Sequence, residues 1–149
     1  MKPLTKVAEI QISYTPAIAN KPEIKSALDA YHVIKEFFPE EQISLCEMFV
    51  VAYLNRCNRV LGVYVASKGG ITGTVADIRL ILGTALKVAA TGIILAHNHP
   101  SGNLTPSKAD KDLTYKIKEA AQYLDIQVLD HLILAWENEY YSFADEGVI

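Results

Sequence analysis

The sequence contains one short segment rich in side chains that bind metal ions, between His97 and Asp110. His97 and His99 stand two residues apart, directly after the apolar run 93–96. Side chains two apart on an extended chain point to the same face, so both imidazoles can meet just beyond the strand. Two neutral imidazoles suit a zinc ion, and a third ligand would leave a fourth position open for water.

Asp110 is the third ligand in this interpretation, because a carboxylate offsets part of the charge of the metal. Ser107 precedes it by three residues on a predicted helix, so the two side chains share one face. The Ser107 hydroxyl can then donate to the oxyanion of a tetrahedral intermediate. Two simpler roles stay open: Asp110 also suits the first turn of a helix, and Ser107 the helix start.

A hydrolase with this metal site needs a further group that moves a proton to the leaving amine. Glu47 is the candidate, because it begins an otherwise apolar strand, where a carboxylate is costly unless it is used or paired. Sequence spacing alone does not place Glu47 beside the histidines.

Other polar side chains near these residues are candidates for supporting the ligands. Asn98 lies between the two histidines and points away by strand alternation, which suits holding the loop. Ser101 and Gly102 suit the turn that follows. Asp130 and His131 either orient a ligand from outside or satisfy local backbone. A structural role in the N-terminal helix is predicted for His32. Packing is predicted for Tyr140 and Tyr141, with lining of a substrate groove as the alternative for one of the two rings.

The elements of the N-terminal half follow from hydrophobic periodicity. Alternation over residues 9–14 predicts a half-buried opening strand, and residues 15–23, with two prolines, a connection. Ser26 is the predicted N-cap of a helix that ends at Pro39. The apolar stripe of this helix consists of Leu28, Tyr31, Ile34 and Phe38. Residues 47–66 predict a hairpin with its turn at 55–58, ended by Gly69 and Gly70.

The C-terminal half alternates helices and strands irregularly. Residues 77–90 predict a mostly buried helix with Gly92 at its C′ position, followed by the buried strand 93–96. Thr105 and Pro106 predict the start of the next helix. The apolar stripe of this helix consists of Leu113, Ile117, Ala121 and Leu124. Residues 126–136 and 140–143 predict a closing hairpin. This order indicates an α+β fold, or a mixed-sheet α/β fold of three layers.

Length and composition bound the class of protein. The chain has 149 residues, of which 50% are hydrophobic, so it can bury the core of one domain. Its net charge is −3 and its Lys and Arg are scattered, so nucleic-acid binding by this chain alone is not predicted. Cys46 and Cys57 are too few for a disulfide framework and predict buried thiols; a reactive Cys57 lacks a convergent histidine.

Neither a signal peptide nor a membrane span is predicted. Residues 1–6 contain no apolar signal core, and charges and glycines interrupt the apolar run 78–95. The sequence therefore predicts a cytoplasmic protein without a membrane partner.

The spacing of the segment resembles the JAMM (MPN-plus) metalloprotease motif, in which an upstream Glu precedes His-x-His-Pro. In that motif seven residues separate the second His from a Ser, and two more precede an Asp. Here residues 100–106 separate His99 from Ser107, and two residues separate Ser107 from Asp110. The chain is similar to the RadC-like branch in four segments: Glu47-Met48-Phe49, His97-Asn98-His99-Pro100-Ser101-Gly102, Pro106-Ser107 and Leu129-Asp130-His131.

The resemblance implies a cytidine-deaminase-like JAMM/MPN domain over 44–149, a mixed central sheet flanked by helices in three layers. Residues 1–43 would add an N-terminal strand and helix packed on the same domain. One Zn²⁺ per chain would be held by His97, His99 and Asp110. The family roles of Glu47 and Ser107 are general acid/base and oxyanion stabiliser. The implied partner is a protein or peptide substrate, and a homodimer is a further possibility.

Two departures from the family qualify this resemblance. The residues before Cys46 are too few for the helix-hairpin-helix region of many relatives and lack its Gly-rich hairpin, which weakens a DNA role. Ile78-Arg79 stands where the family usually has Pro-Arg, which changes the helix entry. Two alternatives stay open: a non-catalytic module in repair or mobile-element biology, which need not keep the whole residue set, and a zinc nuclease, which the acidic balance opposes.

Overall fold

The computed structural model describes residues 7–16, 19–69 and 76–149. Its centre is a five-stranded mixed sheet in the order β2-β1-β3-β4-β5. The strands are β1 (Met48–Leu54), β2 (Val60–Lys68), β3 (Gly92–Asn98), β4 (Gln127–Leu134) and β5 (Tyr140–Ser142). The helices are α1 (Ala27–Ile34), extended by a 3-10 turn (Lys35–Phe37), α2 (Ile78–Lys87) and α3 (Lys108–Gln122).

The sheet has helices on both faces, which gives the three layers expected from the sequence. β1 runs antiparallel to β2 and β3, β3 is parallel to β4 through the crossover α3, and β4 is antiparallel to β5. Alternate residues of β1 and β3 pack against α1 on one face and against α2 and α3 on the other. Every residue of both strands is buried, as is typical of central strands covered on two sides.

Most predicted elements are present with shifted ends. The Ser26 hydroxyl accepts from the Asp29 N–H and caps α1 as predicted, and the β1–β2 hairpin and the closing β4–β5 hairpin both form. Pro39 follows the last helical turn, and Phe38 is buried. Leu28, placed in the apolar stripe of α1 by its spacing, is 49% exposed and does not join the core.

The predicted opening strand is wrong. Residues 9–14 form no strand, and the side chains of Ile10 and Ile12 are 87% and 76% exposed. The Tyr14 hydroxyl nevertheless donates to the Leu61 carbonyl of β2. Alternation is a local signal, whereas a strand also needs a neighbouring strand to pair with. The predictions for residues 1–6 and Gly70 lie outside the described residues.

The end of α2 and the start of α3 also differ from prediction. α2 is capped by the Asp77 carboxylate, ends at Lys87 and buries only part of its surface, and Ala89, with φ 56°, takes the left-handed position expected of Gly92. Gly92 instead opens β3, where a Cβ atom would lie 2.8 Å from the Leu129 side chain. Ser107, not Thr105, is the N-cap of α3, because Ser107 alone forms the reciprocal bonds with Asp110.

The two cysteines differ in exposure. Cys46 is half-buried and Cys57 is exposed in the β1–β2 turn, so the prediction of a buried thiol is wrong for Cys57. The carboxamide of Asn55 forms that turn, accepting from the Cys57 and Arg59 N–H groups. Among the described residues, no helix is long and apolar enough to cross a bilayer.

Candidate metal centre

Three metal-binding side chains converge at the end of β3. The Nε2 atoms of His97 and His99 lie 3.0 Å apart. Asp110 Oδ1 lies 3.3 Å from His97 Nε2, and Asp110 Oδ2 lies 3.1 Å from His99 Nε2. Among the described residues these three form the group that could hold a metal ion, with the potential ligand atoms within 4.8 Å of one another.

Glu47 reaches the same place from the neighbouring strand. Phe49 of β1 pairs with His97 of β3, so continuing this antiparallel register by two residues brings Glu47 opposite His99. Alternation then turns the Glu47 side chain to the face that carries the histidines. Glu47 lines a cavity of about 230 Å³ together with His97, Ser107 and Asp110. The structure thus places Glu47 beside the histidines, which the sequence spacing alone does not.

The hydrogen bond of His99 defines which of its nitrogens carries a lone pair. Its Nδ1 lies 2.6 Å from the backbone carbonyl oxygen of Asn103. A carbonyl only accepts, so Nδ1 is the protonated nitrogen and donates to it. In the neutral ring the lone pair then lies on Nε2, which faces Asp110 and His97.

The tautomer of His97 follows from a chain of three side chains. The Thr114 hydroxyl donates to the Asp110 carbonyl at 2.6 Å, so it can only accept at His131 Nδ1, 2.6 Å away. His131 is fully buried, and desolvation, followed by the nearby His97, lowers its pKa well below the usual value. The neutral ring therefore accepts at Nε2 from His97 Nδ1, at 2.7 Å. His97 Nε2 is left with its lone pair toward the site.

Lone pairs from three groups therefore face one another across about 3 Å. Such an arrangement is repulsive unless a cation lies among the atoms. A proton on His99 relieves part of this repulsion. The hydrogen bond with Asp110 raises the pKa of His99, although burial acts to lower it. At Asp110, burial acts to raise the pKa, but the adjacent His97 and His99 imidazoles outweigh it and hold that pKa well below its usual range. The donor set fits a bound metal ion.

The start of α3 fixes Asp110 and presents Ser107. The Ser107 hydroxyl accepts from the Asp110 N–H at 3.0 Å, and Asp110 Oδ2 accepts from the Ser107 N–H at 2.9 Å. Both simpler roles considered from the sequence, helix cap and first-turn acid, are therefore present. The cap uses Ser107 Oγ as an acceptor and leaves its O–H able to donate into the cavity that it lines with Glu47.

A bulge in β4 decides which of two neighbouring residues reaches the ligands. Ile93 pairs with Val128 but Ile94 pairs with Asp130, so Leu129 is the extra residue. Regular pairing would turn Asp130 toward α3, whereas the bulge turns His131 there instead. His131 packs against the ring of Phe143, with centroids 4.6 Å apart. Asp130 and His131, which the sequence predicts as a pair, therefore face opposite sides of the sheet and have different roles.

Asp130 ties the C-terminal strands together on the other face. Its Oδ1 accepts from the N–H groups of His131 and Ala144, and its Oδ2 accepts from the Ser142 hydroxyl at 2.6 Å. Burial raises the pKa of Asp130 in spite of these bonds. None of these bonds joins Asp130 to a metal-binding side chain. They stabilise the β4–β5 connection instead.

The other predicted supporting residues lie around the loop that follows β3. The Ser101 hydroxyl accepts from the Asn103 N–H, and Gly102 adopts a φ of 85° where a Cβ would lie 3.1 Å from the Trp136 ring. Asn98 is buried on the α1 face and bonds to the segment before β1. Tyr140 stacks on Tyr31, as expected of a packing residue.

Comparison with known proteins places this site in a family. A sequence profile described as the RadC-like JAB domain matches residues 24–148. The chain belongs to this family. It is 48% identical over 126 residues to a UPF0758 protein of Flavobacterium johnsoniae, covering 85% of this chain and 53% of that protein. It is 38% identical over 154 residues to a UPF0758 protein of Porphyromonas gingivalis, covering 99% and 65%.

A third relative of this RadC-like domain is the UPF0758 protein YfjY of Escherichia coli, 42% identical over 103 residues, which covers 69% of this chain and 64% of that protein. The chain therefore spans between about half and two-thirds of the length of these three relatives.

Thr114 is the residue of this RadC-like site that sequence reasoning missed. It is buried inside α3, four residues after Asp110 and on the same helix face. A hydroxyl on the helix face that also carries Ile117 and Ala121 was the available signal, although such residues commonly bond to their own helix backbone. Thr114 does so here, and also bonds to His131.

We expect Thr114→Val to weaken binding of a metal ion, tested with zinc, by about 10-fold, the lower end of the cost of losing an outer-sphere partner, because Thr114 acts on His97 only through His131. Valine keeps the shape but leaves His131 Nδ1 without its acceptor, so the tautomer of His97 is no longer fixed. Thr114→Ser keeps the hydroxyl and is the matched control. Competition with a chromophoric chelator measures the affinity. Equal affinities for the two variants would refute a role of the Thr114–His131–His97 hydrogen-bond chain in metal binding.

Replacing Asp130 by alanine is expected to destabilise the fold by about 2–4 kcal/mol, because it leaves buried donors on β4, β5 and the following turn without an acceptor. The midpoint of urea unfolding, at unchanged m-value, measures the loss. Asp145→Ala removes an exposed carboxylate nearby and serves as the control. A loss for Asp130→Ala no greater than that of Asp145→Ala would contradict the role given to Asp130.

Proposed function

We propose that this chain is a zinc-dependent metallohydrolase that cleaves peptide or isopeptide bonds. The observation that carries the proposal is the convergence of three lone-pair groups beside a cavity that Glu47 and Ser107 also line. Membership of the RadC-like JAB domain family supports it.

The ligand set favours zinc among the common metal ions. Two imidazole nitrogens and one carboxylate oxygen form a usual three-ligand set for a catalytic zinc, with a fourth position for water. Two atoms bound tetrahedrally at about 2.0–2.1 Å lie roughly 3.3 Å from each other. Here the two Nε2 atoms lie 3.0 Å apart, His99 Nε2 lies 3.1 Å from Asp110 Oδ2, and His97 Nε2 lies 3.3 Å from Asp110 Oδ1. Each histidine faces a different oxygen of the carboxylate, and with one oxygen taken per residue the ligand atoms lie within 4.8 Å of one another.

The protein supplies the proton transfer and the oxyanion contact. Bound zinc lowers the pKa of a water ligand to about 7 and polarises a carbonyl. Glu47 is half-buried at the cavity wall, where its carboxylate takes the proton from the attacking water and delivers it to the departing amine. The Ser107 hydroxyl donates to the oxyanion of the tetrahedral intermediate.

A cleavage screen tests this function without a known substrate. Zinc-loaded protein is incubated with a peptide mixture and with a native bacterial lysate, and new amino termini are identified by mass spectrometry. We expect new termini that disappear when a chelator removes the metal and return when zinc is added. A zinc-loaded wild-type protein that produces no new termini in either mixture would contradict the proposal.

A further inference from the structure

Asn98 stands between His97 and His99 in the sequence, yet its side chain lies on the opposite face of the sheet and is fully buried. Its Oδ1 accepts from the Met48 N–H at 2.7 Å. Its Nδ2 donates to the carbonyls of Ile43, at 2.7 Å, and Cys46, at 2.9 Å. The whole carboxamide is thus bonded to one segment, residues 43–48.

Two of these bonds act on the peptide groups on either side of Glu47. The Cys46 carbonyl belongs to the peptide group that enters Glu47, and the Met48 N–H belongs to the one that leaves it. Because each peptide group is planar, holding both of them restricts φ and ψ of Glu47 and therefore the direction of its Cα–Cβ bond. The Glu47 carbonyl accepts in addition from the Gly69 N–H at 2.8 Å.

Glu47 needs such anchoring on its β3 side, because it lies just outside the regular ladder between β1 and β3. β1 begins at Met48, and its pairing with β3 ends at Phe49 and His97. Beyond that pair, the Asn98 side chain replaces the backbone bonds that a continuing ladder would provide. It ties the segment that carries Glu47 to the strand that carries His97.

We propose that Asn98 is the positioning residue for Glu47 and keeps its carboxylate aligned with the histidines of the metal centre. This inference rests on the function proposed above. Asparagine suits the position because its carboxamide offers an acceptor and two donors on a short side chain. Aspartate would keep the bond to the Met48 N–H but set an oxygen against the carbonyls of Ile43 and Cys46.

The test uses Asn98→Ala and Asn98→Asp in the full chain, with Asn55→Ala as the matched control. Asn55 also bonds to two backbone N–H groups through its carboxamide, but at the opposite end of β1 from Glu47. Three quantities are measured: zinc affinity by chelator competition, hydrogen exchange of the Met48 amide, and kcat on a peptide identified in the cleavage screen. Each variant is also combined with Glu47→Gln.

We expect Asn98→Ala to bind zinc with less than about a tenfold loss, smaller than that of an outer-sphere partner of a ligand. Its Met48 amide should exchange faster than in the wild type, and kcat should fall about 10²-fold at little changed KM, as for a misplaced catalytic group. In the Glu47→Gln background the Asn98 substitution should add no further loss, since both act through one carboxylate. Asn55→Ala should change none of the three.

Three results would overturn the inference: kcat losses that add to that of Glu47→Gln, a Met48 amide whose exchange is unaffected, or a loss of zinc as large as that of His97→Ala. If the alanine variant does not fold, Asn98→Asp provides the same comparison. If neither variant folds, rapid exchange of the Met48 amide in the wild type would still refute the positioning role of Asn98. An inactive zinc-loaded wild type marks failure of the proposed function instead, and is recognised before any variant is made.

Discussion

Glu47→Gln is expected to leave zinc bound as in the wild type and to lower kcat about 10²- to 10⁴-fold, the usual contribution of a general acid/base. Glutamine keeps the size of the side chain and its place in the cavity, but it cannot accept a proton at neutral pH. The Glu47 carboxylate is not among the three converging ligand groups, so its charge is not needed to hold the ion. Steady-state kinetics and metal analysis on one preparation measure both effects.

Glu41→Gln is the control for this substitution, because Glu41 is an exposed carboxylate in the segment before β1. We expect it to be as active as the wild type. Activity that survives in Glu47→Gln would show that Glu47 is not the base. Loss of zinc from the same variant would instead make Glu47 a ligand and change the assignment of the site.

His97→Ala is expected to abolish specific zinc binding, with a loss of affinity larger than the roughly 100-fold upper value for an outer-sphere group. Of the three candidate ligands, His97 alone lies on a central strand. Its Nδ1 also donates to His131, which in turn bonds to Thr114. Zinc that binds only the folded state at 100 times its dissociation constant stabilises by about 2.7 kcal/mol. Thermal or urea unfolding should show this gain in the wild type and not in the variant.

His32→Ala is the matched control, since His32 is an exposed histidine on α1, on the opposite face of the sheet. It should show the zinc-dependent gain of the wild type. An equal gain in His97→Ala would mean that zinc stabilises the chain from another site.

The convergence of His97, His99 and Asp110 was predictable from the sequence because its information is local. His97 and His99 are related by the two-residue period of a strand, and Ser107 and Asp110 by the first turn of a helix. Each pair needs only one element to bring its side chains to one face. A single crossover, from β3 into α3, then brings the two pairs together.

Residues that depend on the pairing of strands were beyond local signals. The position of Glu47 depends on how the start of β1 meets the end of β3, which no spacing within either segment records. The roles of Asp130 and His131 depend on one bulge at Leu129, which exchanges the faces of the two side chains. Without that bulge the same sequence would turn the carboxylate toward the ligands.

The failed predictions have the same origin. The alternation of residues 9–14 has the period of a strand, but no strand or helix in the described part of the chain covers Ile10 and Ile12, which stay exposed. Gly92 is predicted as a helix C′ residue, but α2 ends at Lys87, and close approach of the Leu129 side chain is what excludes a Cβ at Gly92. In both cases a contact distant in sequence decides the outcome.

Metal analysis of the protein, purified without chelators, shows directly whether His97, His99 and Asp110 hold a zinc ion. We predict one tightly bound zinc ion per chain, retained in Glu47→Gln and absent from His97→Ala. A wild-type protein that is free of metal, and that does not take up zinc when it is offered, would contradict it.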